Sequence, residues 1–292
     1  MTPPTALPAT KPALTAPPAL AVVRRRSVCA AGVCLLGGCA AAAGDALSRH
    51  ASAAAAAAEL GRSGTMRAAI NFGNPILASR DAAGQARGLS VDLAREAARR
   101  LGLALELVLF NSAGSVVEAV KAGGIDLAFV AIDPVRAADM AYTAPYVVIE
   151  GAYLVRQASA LQHNDEVDRA GHRVVVGKGS AYDLFLTRTV KAATLVRAPT
   201  SPAVTDMMLA QGLDVASGVK QQLQADAARV GGVRLLPGRF MVIEQAMAVP
   251  TGRPAAQAWL SAFIEQMKAS GMVADALRRH GIEGAEVAPP AV

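Results

Sequence analysis

Few residues in this chain have the type and spacing to do chemistry, and those few point to holding a ligand more than to breaking a bond. The histidines His50, His163, His172 and His280 are scattered without the spacing of metal ligands, and no His-Glu-x-x-His pair occurs. No Gly-x-Ser-x-Gly turn presents a serine nucleophile. Cys29, Cys34 and Cys39 all fall near the start, so the body of the chain has no disulfide framework, cysteine zinc site or thiol nucleophile. Gly177-Lys178-Gly179-Ser180 follows a strand pattern and opens a helical one. A phosphate loop needs its Lys after the second Gly, next to Ser or Thr, and Lys178 stands before it. The loop still offers an anion the free N–H groups and positive dipole end of a helix capped by Ser180. Otherwise it is an ordinary serine cap worth about 1 kcal/mol. Asp133-Pro134-x-Arg136 reads as a helix start, with Asp as N-cap and Pro in the first turn. Arg136 then stands one turn in, at the carboxyl end of a strand, where open α/β sheets bind ligands. A guanidinium there would grip a carboxylate through two parallel N–H donors; the alternative is a plain surface arginine.

The elements that must position these groups alternate from Met66 onward. Residues 66–72 form a strand candidate ended by Gly73-Asn74-Pro75, and residues 81–84 a turn. Ser90 is the N-cap candidate of a helix with Val91, Ala94, Ala98 and Leu101 on one face, stopped by Gly102. A strand over 105–110, a helix over 116–122 and a buried strand over 126–132 complete a βαβαβ pattern, which implies a parallel sheet covered by helices. The arrangement recurs as strand 173–176, a helix from Ser180, strand 194–197, helix 205–211, strand 214–216 and helix 221–229. A further strand over 244–249 precedes an amphipathic helix over 255–269, whose Trp259, Phe263 and Met267 form a core stripe. No strict sequence repeat links the halves, yet each is long enough to bury a core.

The 292 residues allow about two domains, and 53% hydrophobic against 18% charged residues is too apolar for disorder. Aromatics, at 4%, leave no stacking platform for nucleic acid. The net charge of +6 is concentrated in Lys11 and Arg24 to Arg26; beyond them 25 basic residues face 23 acidic ones, so no nucleic-acid partner is expected. Arg24-Arg25-Arg26, the uncharged residues 28–38 and the small residues 39–44 are the three parts of an export signal. Residues 25–29 partly match a twin-arginine signal, so both the general secretory and the twin-arginine routes stay open. Leu36-Gly37-Gly38-Cys39 resembles the lipobox of bacterial lipoproteins, which would acylate Cys39; the alternative is cleavage among residues 40–46 to release an unanchored protein. The expected organisation is a leader over 1–45 and a linker over 46–64, whose alanine run reads as a tether or weak helix, ahead of the folded body.

Five segments in order resemble the bacterial periplasmic solute-binding proteins that serve polar amino-acid ABC importers, family 3. They are Gly88-Leu89-Ser90-Val91-Asp92-Leu93; Lys121-Ala122-Gly123 with Asp126-Leu127, Arg136 and Tyr142-Thr143-Ala144-Pro145-Tyr146; residues 176–180; Gly212-Leu213-Asp214; and residues 268–281. The resemblance spans about residues 65–284. It implies an α/β, two-lobed periplasmic binding protein of type II-like form, each lobe a mixed sheet flanked by helices, with two hinge crossovers. Lobe 1 would hold residues 65–154 and 247–284, lobe 2 residues 155–246, with a tail over 285–292 and hinges near 154–157 and 244–247. It further implies a monomeric periplasmic receptor, without catalytic residue, metal or cofactor. Such a receptor captures a small carboxylate-bearing solute, an amino acid or a relative, and hands it to a membrane ABC permease. In that reading Arg136 grips the carboxylate, Gly179 and Ser180 close on it from the other lobe, and Phe72 packs on the apolar part.

Two departures from the family narrow the ligand. Where the family carries Ser or Thr, this loop reads Ala131-Ile132-Asp133, which leaves Asp133 a capping role first. The acid that pairs with the ligand's α-ammonium in the family falls here on Val219. A desolvated ammonium without a carboxylate partner costs several kcal/mol. Either another acid among Asp133, Glu150, Asp183 and Glu244 supplies that charge, or the ligand is not a standard α-amino acid. The scaffold also resembles that of periplasmic cyclohexadienyl dehydratases, which place a catalytic acid in the cleft; Glu150 or Glu244 would be that acid here.

Overall fold

A computed structural model of the protein describes residues 52–61 and 63–291. A helix over residues 52–60, α1, precedes β1 (Thr65–Asn71). The hairpin of β2 (Ser79–Arg80) and β3 (Ala86–Arg87) leads into α2 (Leu89–Leu101), β4 (Ala104–Phe110), α3 (Ala113–Lys121) and β5 (Leu127–Ala131). The 17-residue β6 (Met140–Arg156) then passes into the second lobe, where β7 (Arg173–Gly177), α4 (Ala181–Thr189), β8 (Thr194–Ala198), α5 (Val204–Ala210) and β9 (Val215–Val219) repeat the pattern. After α6 (Lys220–Val230) and β10 (Val233–Leu235), β11 (Met241–Pro250) returns the chain to the first lobe, which α7 (Pro254–Ala269), α8 (Met272–Arg279) and β12 (Glu286–Val287) complete.

The main sheet runs β4-β1-β5-β11-β6-β9-β7-β8. In each lobe the first strand lies between two parallel neighbours, β1 between β4 and β5, and β7 between β8 and β9. Buried side chains fill both faces in both lobes, so each lobe is a sheet between helices. β6 pairs with β11 as far as Gly151 and with β9 from Gly151 onward. A Cβ at Gly151 would fall 2.6 Å from the Met241 side chain, so the change of partner is a place where only glycine fits. The register of β11 against β6 slips between Gln245 and Ala248, inside the segment expected as a hinge.

Several local readings change. Ser90 does not cap α2: the cap is Gly88, at φ +122°, where a Cβ would strike the Leu77 carbonyl oxygen at 2.4 Å, and Ser90 is buried inside the helix. The Asp133-Pro134 start yields only one 3-10 turn, Arg136–Ala138, before β6 begins. The alanine run folds into α1 and docks: Ala56 and Leu60 are buried, and the Glu59 carboxylate accepts the Ala256 N–H in the first turn of α7 at 2.7 Å. Residues read as a tail add β12 to β6. The expected Trp259 stripe is core at Phe263 and Met267, while Trp259 is only partly buried and stacks on Phe263.

One device holds both lobes. Asp126 Oδ2, just before β5, accepts the Arg67 backbone N–H at 3.1 Å and its Nε at 2.8 Å, and Arg67 Nη2 donates to the Gly123 carbonyl at 3.0 Å. Asp214 Oδ2, just before β9, accepts the Arg173 backbone N–H at 2.9 Å and its Nε at 3.0 Å, and Arg173 Nη2 donates to the Gly212 carbonyl at 2.6 Å. The two clasps differ in burial. Asp126 is fully buried and also pairs with Arg253 at 2.9 Å, whereas Asp214 is partly exposed. Burial pushes the Asp126 carboxyl up, but Arg67 and Arg253 outweigh it and hold it below the ordinary range. That depressed carboxylate stabilises the fold above its unfolded pKa of about 3.9 and loses the contribution as pH falls through its folded value. Asp126→Ala, which strands the partly buried Arg67 and Arg253, is expected to cost about 2–4 kcal/mol, and Asp214→Ala no more than about 1 kcal/mol. Urea denaturation of both variants at neutral pH measures the difference; equal losses would show the clasps to be equivalent.

Candidate functional site

The lobes meet around a cavity of about 40 Å³. The first lobe contributes Asn71 and Asn74 from the end of β1 and the turn after it, Ala131 from the end of β5, and Arg136. The second lobe contributes Ser180 and Tyr182 at the start of α4, Ser201, and Val219 at the end of β9. Ile243 and Gln245 come from β11. Arg136 is 2% exposed, so the plain surface arginine is excluded. Its Nη1 donates to the Ala131 carbonyl at 2.9 Å and its Nη2 reaches across to the Gly179 carbonyl at 2.9 Å. Its Nε is buried without a hydrogen-bond partner, and among the described residues no carboxylate forms an ion pair with it. Burial pulls this guanidinium below its ordinary pKa, partly offset by Tyr142 and Asp133, yet arginine remains charged in proteins. The Tyr182 hydroxyl, pushed up to about 12 by burial, stays neutral at physiological pH. The cavity wall thus carries one positive charge and, among the described residues, no negative one.

Two further contacts join the lobes. Asp133 Oδ1 accepts the Val135 N–H at 2.8 Å, the capping role expected of it, while Oδ2 takes Arg188 Nη2 from α4 at 2.8 Å. Gly179, at φ +71°, touches the start of α3: a Cβ there would come within 2.9 Å of the Gly114 Cα. Ser180 caps α4 by accepting the Asp183 N–H at 3.0 Å, and Asp183 Oδ2 accepts the Gly179 N–H at 2.8 Å. The Gly179 N–H is therefore committed within the loop, and Asp183 turns away from the cavity toward Arg197.

Of the residues expected at the site, Arg136, Ala131, Ser180 and Val219 come together on the cavity wall, and Gly179 contributes its carbonyl. Asp133 stands beside them as part of the lobe-bridging pair with Arg188. Phe72 is not on the wall; its ring packs on the first-lobe core under the Arg80 guanidinium, 4.5 Å from the centroid. Glu150 is elsewhere, held by Lys220 at 2.7 Å and Arg239 at 2.8 Å, and those partners keep its carboxyl low. Glu244 is exposed. Cys39 lies outside the described residues. Asn71, Asn74, Tyr182, Ser201 and Gln245 were not anticipated. The first two stand at and just beyond the carboxyl end of the first strand, where the rule that selected Arg136 applies equally, and Gln245 is a buried polar residue midway along β11, next to the exposed Glu244. Among the described residues no three His, Cys, Asp or Glu side chains group to hold a metal ion, and no helix is long and apolar enough to cross a membrane.

Residues 66–282 match the profile of the bacterial extracellular solute-binding proteins, family 3. The chain belongs to that family. No curated protein sequence matches this solute-binding protein, but solved structures share its fold. The solute receptor for L-cysteine of Neisseria gonorrhoeae aligns at 21% identity and a TM-score of 0.68, covering 76% of this chain and 92% of that one. An amino acid ABC transporter substrate-binding protein from Streptococcus pneumoniae, bound to L-arginine, aligns at 18% identity and a TM-score of 0.66, covering 75% and 94%. An ancestral amino acid-binding protein, described as a precursor of cyclohexadienyl dehydratase, aligns at 19% identity and a TM-score of 0.64, covering 74% and 95%.

In this solute-binding protein the Gly114–Gly179 contact is the closest backbone approach between lobes described above, and it tests whether closure and binding are one event. Gly179→Ala adds a methyl group 2.9 Å from Gly114 and strains a left-handed residue by about 1–2 kcal/mol. The variant is expected to favour the open form, with a larger radius of gyration by X-ray scattering. An unchanged radius would show that the lobes close without this contact.

Proposed function

We propose that this solute-binding protein is an exported receptor of an ABC uptake system that captures a small carboxylate-bearing solute between its lobes. The observation that carries the reading is Arg136: a buried guanidinium with an unpartnered Nε on the wall of the interlobe cavity. A buried charge without a counter-ion destabilises a fold, and a ligand carboxylate would supply the counter-ion. Relatives of the same fold that bind L-cysteine and L-arginine, both carboxylates, support it. The hinge positions in this reading are Gly151, where β6 changes partner, and the slipped register of β11 between Gln245 and Ala248. A lyase reading would require an acid in the cleft; Glu150 is paired elsewhere and Glu244 is exposed, so the receptor reading is favoured. The N-terminal export signal, with or without acylation of Cys39, would place the receptor in the periplasm, where it meets a membrane permease as a monomer.

Arg136→Met keeps volume and removes the charge. Replacing a buried charge by an apolar side chain is often neutral or stabilising, so the ligand-free melting temperature is expected to hold or rise. A charge-assisted bond is worth about 1.5–3 kcal/mol, so carboxylate affinity should fall from about 10-fold to more than 100-fold. Scanning calorimetry with titration of carboxylates checks both; a large loss of stability with binding intact would make Arg136 a structural residue. For export, fractionation of the native host should find the processed chain outside the cytoplasm, and Cys39→Ser should abolish lipid labelling. Unprocessed chain confined to the cytoplasm contradicts export, and unchanged processing of the Ser variant favours the unanchored form.

A further inference from the structure

We infer that the solute is a short monocarboxylate whose second polar group is a hydroxyl or oxo oxygen in place of an ammonium. This rests on the receptor reading above and goes on to specify its ligand class. Three buried polar atoms on the cavity wall lack a partner: Arg136 Nε, Asn74 Oδ1 and the Tyr182 hydroxyl. The first is a charged donor and calls for an anion. The other two belong to neutral groups: Asn74 Oδ1 accepts and so takes the hydrogen of a hydroxyl, while the Tyr182 hydroxyl, beside Ser180 and Ser201, donates to a hydroxyl or oxo oxygen.

A zwitterion would need more than the wall provides. Its ammonium, stripped of water, requires a carboxylate to compensate its charge. The nearby acids are committed elsewhere: both oxygens of Asp133 to Val135 and Arg188, Asp183 to Gly179 and Arg197, and Glu150 to Lys220 and Arg239. At the end of β9 the wall is the apolar Val219. Arg136 and a zwitterion's ammonium would then be two buried cations facing one carboxylate. A monoanion leaves the closed cleft neutral.

Size points the same way. A space of about 40 Å³ holds about three water-sized positions. Together with modest opening of the lobes it accommodates a two- or three-carbon acid.

The test is calorimetric titration of the purified mature protein with matched pairs: glycolate against glycine, and L-lactate and pyruvate against L-alanine. At least one hydroxy or oxo acid is expected to bind at least tenfold more tightly than its amino partner, and Arg136→Met should abolish that binding. Asn74→Asp is isosteric and places a carboxylate beside the ligand's second polar group, so it should shift the preference toward the amino acid by tenfold or more. Should that variant not fold, Val219→Asp serves instead, because Val219 is the N-cap of α6, a position that favours Asp. Tighter binding of glycine or L-alanine by the wild type, with Arg136 required, overturns the inference and leaves the receptor reading standing. Absence of binding by every acid in both sets at millimolar concentration overturns the inference, and the receptor reading falls with it only if the wider titration of carboxylates described above also finds no ligand.

Discussion

The closed cleft depends on one uncompensated charge. Arg136 is buried where the lobes meet, two of its nitrogens held by backbone carbonyls, one from each lobe, and its third left without an acceptor. Carbonyl oxygens offset part of the desolvation of a guanidinium but do not cancel its charge. The pair formed by Asp133 and Arg188 in the same seam contrasts with it, because there each charge has its opposite. In the receptor reading proposed above, burying one cation in an ion pair and another without one along the same seam would separate two tasks: drawing the lobes together, and rewarding what enters between them.

Much of this architecture was legible in the chain, and the parts that were not share a physical reason. The βαβαβ order of both lobes follows from periodicity and from Gly and Pro punctuation, since those signals are local. Arg136 was legible because an Asp-Pro turn after an apolar strand places it at the carboxyl end of a sheet. Its depth was not: burial depends on Gly179, more than forty positions away in the chain. Glu150 illustrates the converse. It was a candidate for the acid of the cleft, but Lys220 and Arg239, distant in sequence, capture it at another edge.

Strand β6 was hidden for a different reason. Seventeen residues far exceed the usual strand of five or six, and Pro145 within it reads as an interruption. It survives because the strand serves the two lobes in turn and bulges against β11 near the proline. Ser90 shows the limit of capping rules in the same way. Its side chain is a good cap, but the crowding of Leu77 against Gly88 decides where the helix begins.

The docking of α1 has a bearing on motion. Its buried Leu60 joins the first-lobe core, and Glu59 ties it to α7 of the same lobe; the hydrogen bonds it makes beyond itself stay on that side. Whatever holds the residues ahead of α1 therefore holds the first lobe. In the receptor reading proposed above, the first lobe becomes the fixed frame of reference, and opening and closing would be seen from outside as a swing of the second lobe alone. A permease that distinguishes loaded from empty receptor would then read the position of the second lobe's surface against a stationary first one.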